Sequence, residues 1–197
     1  CAMRLLLETL FAADEALQWR DQLLAADGAW ESGQSTAGWH ARTVKTNRQL
    51  SQQSPLHAAL TALVIARLQA DPLLQAAALP VRIHSLRVSR CGPGEGYGRH
   101  VDNAFMAAGR ADLSFSLFLS EPADYDGGAL VLETPTAEED VRLPAGQALV
   151  YPSTLLHRVE PVRRGERLVV VGWLQSRVRA AAQRELLFEL DRKSTRL

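Results

Sequence analysis

Cysteine is nearly absent from this chain. Only Cys1 and Cys91 occur among 197 residues, far apart and without metal-type spacing, which argues against a disulfide scaffold and fits a reducing compartment. Cytoplasm is the default location. An excess of either charge is missing as well: 22 basic residues face 22 acidic ones, so no global field favours a nucleic-acid backbone. Long apolar runs are also lacking. The longest, Leu168 to Leu174, is too short to cross a bilayer, and its β-branched content reads as a buried strand. The start, Cys1-Ala2-Met3-Arg4-Leu5-Leu6-Leu7, continues into charged helical sequence with no cleavage pattern, so no signal peptide is expected and Cys1-Ala2 reads as foreign sequence. Neither a membrane nor nucleic acid is an expected partner.

The length suits one domain with a full hydrophobic core, and one change of character divides it near Pro80. Before that point apolar residues recur at helical spacing. Leu10, Ala13, Ala16, Leu17, Leu23 and Leu24 mark one helix, and Leu56, Leu60, Leu63, Val64 and Leu68 a second, with Ser54 as its cap and Pro55 in its first turn. Between them, Asp27 to Leu50 reads as an ordered loop or short strands. After Pro80 the period becomes two. Strands are expected at Val81–Ser89, Leu113–Leu119, Ala129–Thr134, Val141–Leu143, Gln147–Tyr151, Leu155–Glu160 and Arg167–Gln175, with turns at 91–96, 124–128, 144–146 and 163–165. The expected architecture is a mainly β jelly roll, with residues 1–80 as helical support, 81–191 as the core and 192–197 as a frayed tail.

Within the β half, Tyr97-Gly98-Arg99-His100-Val101-Asp102 carries the chemistry. In an extended segment His100 and Asp102 share a face while Val101 points away. His157 is then expected to supply a third ligand from across the barrel. Two imidazoles and a carboxylate form the facial triad of non-haem Fe(II) oxygenases, which leaves open positions on the metal. Arg167, ten residues beyond His157, is expected on the adjacent antiparallel strand, where alternation groups it with Val169, Val171 and Trp173. The His-x-Asp pair alone is weak evidence, because an exposed strand pair making a hydrogen bond would look the same.

The wider context resembles a known family. Arg90-Cys91-Gly92-Pro93-Gly94-Glu95-Gly96-Tyr97-Gly98-Arg99-His100-Val101-Asp102-Asn103-Ala104, Asp112-Leu113-Ser114, Tyr125-Asp126-Gly127-Gly128, Leu143-Pro144-Ala145-Gly146 and Tyr151 to Val159 look like the PKHD-type hydroxylases, bacterial relatives of prolyl 4-hydroxylase. Thr36-Ala37-Gly38, Val44-Lys45-Thr46-Asn47, Gln49-Leu50 and Leu186 to Asp191 match too. The resemblance implies a double-stranded β-helix that uses Fe(II) and 2-oxoglutarate, releases succinate and CO2, and draws on L-ascorbate to keep iron reduced. It implies iron on His100, Asp102 and His157, the distal carboxylate of 2-oxoglutarate on Arg167, and help from the Tyr97 hydroxyl. A planar guanidinium suits a carboxylate independently of any family. Relatives point to a protein side chain or a small molecule linked to iron uptake as substrate. The chain departs from the pattern at Cys91, where relatives carry an aromatic residue, and it stops short of their C-terminal helical extension. A homodimer, the commonest assembly, is the default.

Two other readings stay open at this point. A Zn-dependent hydrolase can use the same three ligands, and a non-catalytic jelly-roll binding module would need none. Among lesser candidates, His40, His57 and His84 lack partners at metal spacing and read as surface or structural. Cys91 reads as a buried structural thiol and Trp173 as core or pocket wall. Asn103, Phe105 and Met106 line an entrance or form a plain loop, while Arg99 and Arg158 point away from the ligands. Gly92 to Gly96 is a strand-to-strand turn, not a phosphate loop.

Overall fold

A computed structural model describes residues 4–26, 28–36 and 45–194. Strands are β1 Leu5–Leu7, β2 Trp30–Ser32, β3 Arg48–Leu50, β4 Pro80–Cys91, β5 Tyr97–His100, β6 Phe105–Met106, β7 Gly109–Arg110, β8 Leu113–Phe118, β9 Tyr125–Gly127, β10 Leu130–Glu133, β11 Glu138–Val141, β12 Ala148–Pro152, β13 Leu156–Val159, β14 Val162–Gly165 and β15 Arg167–Ser176. Helices are α1 Ala13–Ala25, α2 Pro55–Ala70, α3 Pro72–Ala78 and α4 Ala181–Ser194. A seven-stranded sheet runs β1-β12-β8-β15-β4-β3-β2, and a four-stranded sheet runs β11-β10-β13-β5. Two-stranded ribbons β14-β9 and β6-β7 complete the set. This is the jelly roll expected, with helices on its outside.

Strand alternation explains how the large sheet serves two cores. On β8, Leu113, Phe115 and Leu117 join a cluster with Leu60, Val64 and Leu68 of α2 and with Leu74 of α3. Phe118 turns to the other face and joins Leu130 and Leu132 of β10, Val141 of β11 and Tyr151 of β12. β15 alternates likewise, with Leu168, Val170 and Leu174 toward the helices and Val169 and Val171 toward the small sheet. Every second residue of one strand thus builds a different core.

β4 breaks this rhythm once. Its pairing with β15 shifts between Arg87↔Val171 and His84↔Trp173, and Ser85 takes φ 58°. One extra residue in a strand is a bulge, which re-aims the side chains beside it. Ile83 and Leu86, three apart, therefore both reach the helix-side core, while Ser85, Arg87, Ser89 and Cys91 line the cavity between the sheets.

Several expectations are corrected. Ser54 occupies the cap position of α2 without a side-chain hydrogen bond; Pro55 removes one of the free N–H groups a cap would serve. The turns expected at 124–128 and 163–165 contain paired strands β9 and β14. The strand at 141–143 lies earlier, as β11, because Glu138, Glu139 and Asp140 point to solvent from a sheet edge and break the apolar pattern. α3, α4 and β1 were not expected; α4 packs on α3 through Phe188 of the helix-side core. The 27–50 stretch supplies β2 and β3, which extend the large sheet.

Candidate active site

β5 and β13 pair antiparallel with His100 directly opposite His157. His157 thus comes from the neighbouring strand, not from across the barrel, and one rung of the ladder sets both imidazoles. Their ring centroids lie 4.3 Å apart, tilted by 52°. Each ring donates from Nδ1 to a carbonyl two residues earlier, His100 to Gly98 and His157 to Leu155, both at 2.8 Å. A carbonyl only accepts, so the Nδ1 proton is fixed and each Nε2 keeps its lone pair for another partner. Asp102 lies just past the end of β5, held by its N–H to the Ser153 carbonyl at 3.3 Å. Its carboxylate oxygens stand 3.7 Å from His100 Nε2 and 3.8 Å from His157 Nε2.

Three acceptor groups thus converge with no donor between them. Their ligating atoms all lie within 4.8 Å of one another, and the 3.7 and 3.8 Å separations of Asp102 from the two imidazoles fall inside the roughly 4 Å that two bonds of about 2 Å to one ion can span. Mutual repulsion of lone pairs is relieved by a cation there, so the residues fit a metal. Burial, and next to it His157, hold the His100 imidazole well below its usual range, which keeps it neutral and ready to ligate. Ser114 donates to Asp102 Oδ2 at 2.6 Å and contacts Ser153 Oγ at 2.9 Å, leaving Oδ1 as the freer oxygen. Tyr97 stacks on His100 with centroids 3.7 Å apart. Burial, then Asp102, push its phenol up to about 12, so it stays a hydrogen-bond donor.

Arg167 reaches the same cavity from the opposite sheet. It lies on β15 between β8 and β4, across from Cys91, and not on a strand adjacent to β13 as expected. The sequence between them spends itself on β14, which pairs with β9 instead. The guanidinium is 2 % exposed, its Nε has no hydrogen-bond partner, and its carbon sits 5.3 Å over the Phe118 ring. No ion pair among the described residues involves it. A buried cation in that condition is unfavourable until an anion meets it. Cys91 is buried with Tyr125 and Val162 beside it, and burial pushes its thiol up to about 11, which makes it inert rather than nucleophilic.

Ligands and Arg167 share a cavity of about 780 Å³. Val169, Val171 and Trp173 line it with Arg167 as alternation implied, and Asn103, Phe105 and Met106 stand at its edge, the last two in a hairpin with β7. Arg99 pairs with Glu133, and Arg158 with Glu133, Glu138 and Glu160. His84 is buried between Ser85 Oγ and the Arg110 carbonyl, a structural role, and His57 sits half-buried on α2. His40 lies outside the described residues. Sequence reasoning assigned no role to Ser114, Ser153, Lys45 or Arg87, which the fold brings to the cavity or its ligands. A signal for Ser114 existed: serines alternate with large apolar residues along β8.

Residues 86–175 match the family model of the 2OG-Fe(II) oxygenase superfamily. A PKHD-type hydroxylase of Synechococcus elongatus is 56% identical over 163 residues, covering 81% of this chain and 73% of that protein. One of Prochlorococcus marinus is 51% identical over 180 residues, 90% of this chain and 81% of that protein. Among solved structures, a Pseudomonas putida prolyl-4-hydroxylase superposes with TM-score 0.59 at 23% identity over 90% of this chain and 94% of its own. HygX from Streptomyces hygroscopicus, solved with nickel, 2-oxoglutarate and hygromycin B, gives 0.61 at 16% over 89% and 84%. These two show a shared fold, while the sequence relatives show the family: the chain belongs to the PKHD-type hydroxylases, 2-oxoglutarate-dependent oxygenases that require Fe(II).

Proposed function

We propose that His100, Asp102 and His157 hold the iron, that Arg167 receives the distal carboxylate of 2-oxoglutarate with the Tyr97 hydroxyl assisting, and that the enzyme hydroxylates either a protein side chain or a small molecule linked to iron uptake. One observation carries this reading. Three converging acceptors and a buried guanidinium with no ion pair among the described residues and an unbonded Nε share one cavity. Iron held there would activate dioxygen, one atom of which enters the hydroxyl of the product and the other the succinate formed as 2-oxoglutarate loses CO2. The chain orients the reactants. Gly98 and Leu155 fix both imidazole tautomers, Ser114 restrains one carboxylate oxygen, and the Val169–Val171 wall keeps the interior dry.

The zinc hydrolase reading loses support here. Asp102 is the cavity's single carboxylate among the described residues, so no second one stands ready as general base, and Arg167 would have no task. The two substrate classes remain paired because neighbours of this fold include a prolyl hydroxylase solved with a peptide fragment and HygX with hygromycin B. No described helix is long and apolar enough to cross a membrane; a cytoplasmic site of action is our reading from the scarcity of cysteine. Succinate release from 2-oxoglutarate, stimulated by a peptide or by a siderophore, tests the function. Consumption that persists unchanged in His100→Ala and Asp102→Ala contradicts it.

A further inference from the structure

Two phenols line the cavity, Tyr97 and Tyr151, and the proposed function gives a task only to Tyr97. Tyr151 is 4% exposed and lies on β12 directly opposite Ser114 of β8. Residues opposite one another in an antiparallel pair share a face, so Tyr151 and Ser114 look into the cavity together. The Tyr151 ring meets His157 edge to face, with centroids 5.3 Å apart at 70°. It also belongs to the apolar cluster of Phe118 and Val169, and Phe118 is the ring beneath the Arg167 guanidinium. Tyr151 therefore joins the metal ligands to the wall that carries Arg167.

Packing explains the ring but not the hydroxyl. Phenylalanine would fill the same space without burying a polar group. Burial first, then Asp102, raise the phenol above its ordinary range, so it keeps its proton and acts as a donor. Ser116, two residues beyond Ser114 on the same face of β8, also lines the cavity and is a hydrogen-bond partner of the phenol oxygen. A phenol that accepts from Ser116 has its own proton to give.

Other donors around the ligands are committed. Nδ1 of each imidazole gives its proton to a backbone carbonyl, Ser114 gives its proton to Asp102, and Tyr97 is assigned to the distal carboxylate. A 2-oxo acid that chelates an ion through its keto oxygen and one carboxylate oxygen leaves the second carboxylate oxygen off the metal. In a dry cavity that oxygen requires a donor.

We infer that Tyr151 is a further cosubstrate-binding residue, donating its phenol proton to the metal-chelating carboxylate of 2-oxoglutarate, with Ser116 orienting the phenol. The inference rests on the proposed placement of iron and 2-oxoglutarate. It divides the two carboxylates of the cosubstrate between two strands of the large sheet, Tyr151 on β12 and Arg167 on β15.

Tyr151→Phe keeps the ring against His157 and removes only the hydroxyl. Two ligands are titrated into Mn(II)-loaded protein: N-oxalylglycine, a non-reacting mimic of 2-oxoglutarate, and N-methyloxamate, which has the same chelating end and no distal carboxylate. Tyr151→Phe is expected to weaken both by about tenfold, the loss of one hydrogen bond to a charged group, with Mn(II) affinity and melting temperature at wild-type values. Arg167→Ala is expected to weaken N-oxalylglycine alone. Ser116→Ala is expected to weaken both ligands by about threefold, and it carries the test should the phenol substitution fail to fold. Wild-type binding of both ligands by these β12 and β8 variants overturns the inference. So does a Tyr151→Phe loss confined to N-oxalylglycine, or one matched by an equal loss of Mn(II), which would place the effect on His157. Wild-type protein that binds Mn(II) but not N-oxalylglycine is a separate result: it sinks the cosubstrate placement, and this inference falls with it.

Discussion

Ser114 shows how one hydroxyl can govern a metal site. Its bond to Asp102 Oδ2 fixes the carboxylate with Oδ1 toward His100 and Oδ2 toward His157. Ser114→Ala is expected to weaken Mn(II) binding roughly 10–100-fold, read by titration, while the melting temperature of the metal-free protein shifts little. His100 gives a pH dependence. Its folded-state affinity for a proton is depressed from the ordinary 6.5, so the unfolded chain binds more protons below that value. Metal-free protein is therefore expected to hold full stability above 6.5 and to lose it as the pH falls further; a melting temperature flat across that interval contradicts the burial of a neutral His100. His100, Asp102, His157 and Arg167 were legible in the sequence because imidazole, carboxylate and guanidinium carry their chemistry with them. Lys45, Arg87 and Ser114 were not. A lysine or serine gains meaning only from the cavity it faces, and that depends on a bulge and on strand pairings the local sequence does not state.

Strands rich in buried apolar residues were read correctly, and short ones made of turn-forming and charged residues were missed. β15 and β12 bury every second residue or more, so their pattern is loud. β9 and β14 are short and carry Gly, Asp and Arg, residues that ordinarily signal turns. Sheet membership was the larger gap. Chain order suggested that β15 lies beside β13, yet β15 pairs with β8 and β4, because long-range pairing is settled by which apolar faces must be covered. Gly172 marks how tight that covering is: a Cβ there would stand 2.6 Å from the Phe115 ring and 2.9 Å from Leu86 Cγ. Gly172→Ala is expected to lower stability by about 1–3 kcal/mol in denaturant unfolding. Phe115→Leu in the same background should recover part of the loss, since the two changes share one contact. Additive effects would contradict the close approach.

The molecule as a whole is a division of labour between two sheets. The small sheet supplies both imidazoles and, just past its end, the carboxylate, while the large sheet supplies Arg167, Arg87 and the apolar wall. Helices cover the outer face of the large sheet and take no part in the cavity lining. That separation explains why the jelly-roll class was readable from strand spacing alone, whereas the opposed origin of ligands and Arg167 was not. It also implies that metal and cosubstrate affinities can be altered independently. The measurement that bears on this most directly is an anaerobic titration of the Fe(II)-loaded protein with 2-oxoglutarate, followed by visible absorbance of the chelate. The expected result is saturation at one equivalent in wild-type protein, loss of the signal in Asp102→Ala, and an affinity lower by about 100-fold in Arg167→Ala. A wild-type protein that gives no signal, or an Arg167→Ala variant that titrates like wild type, would contradict it.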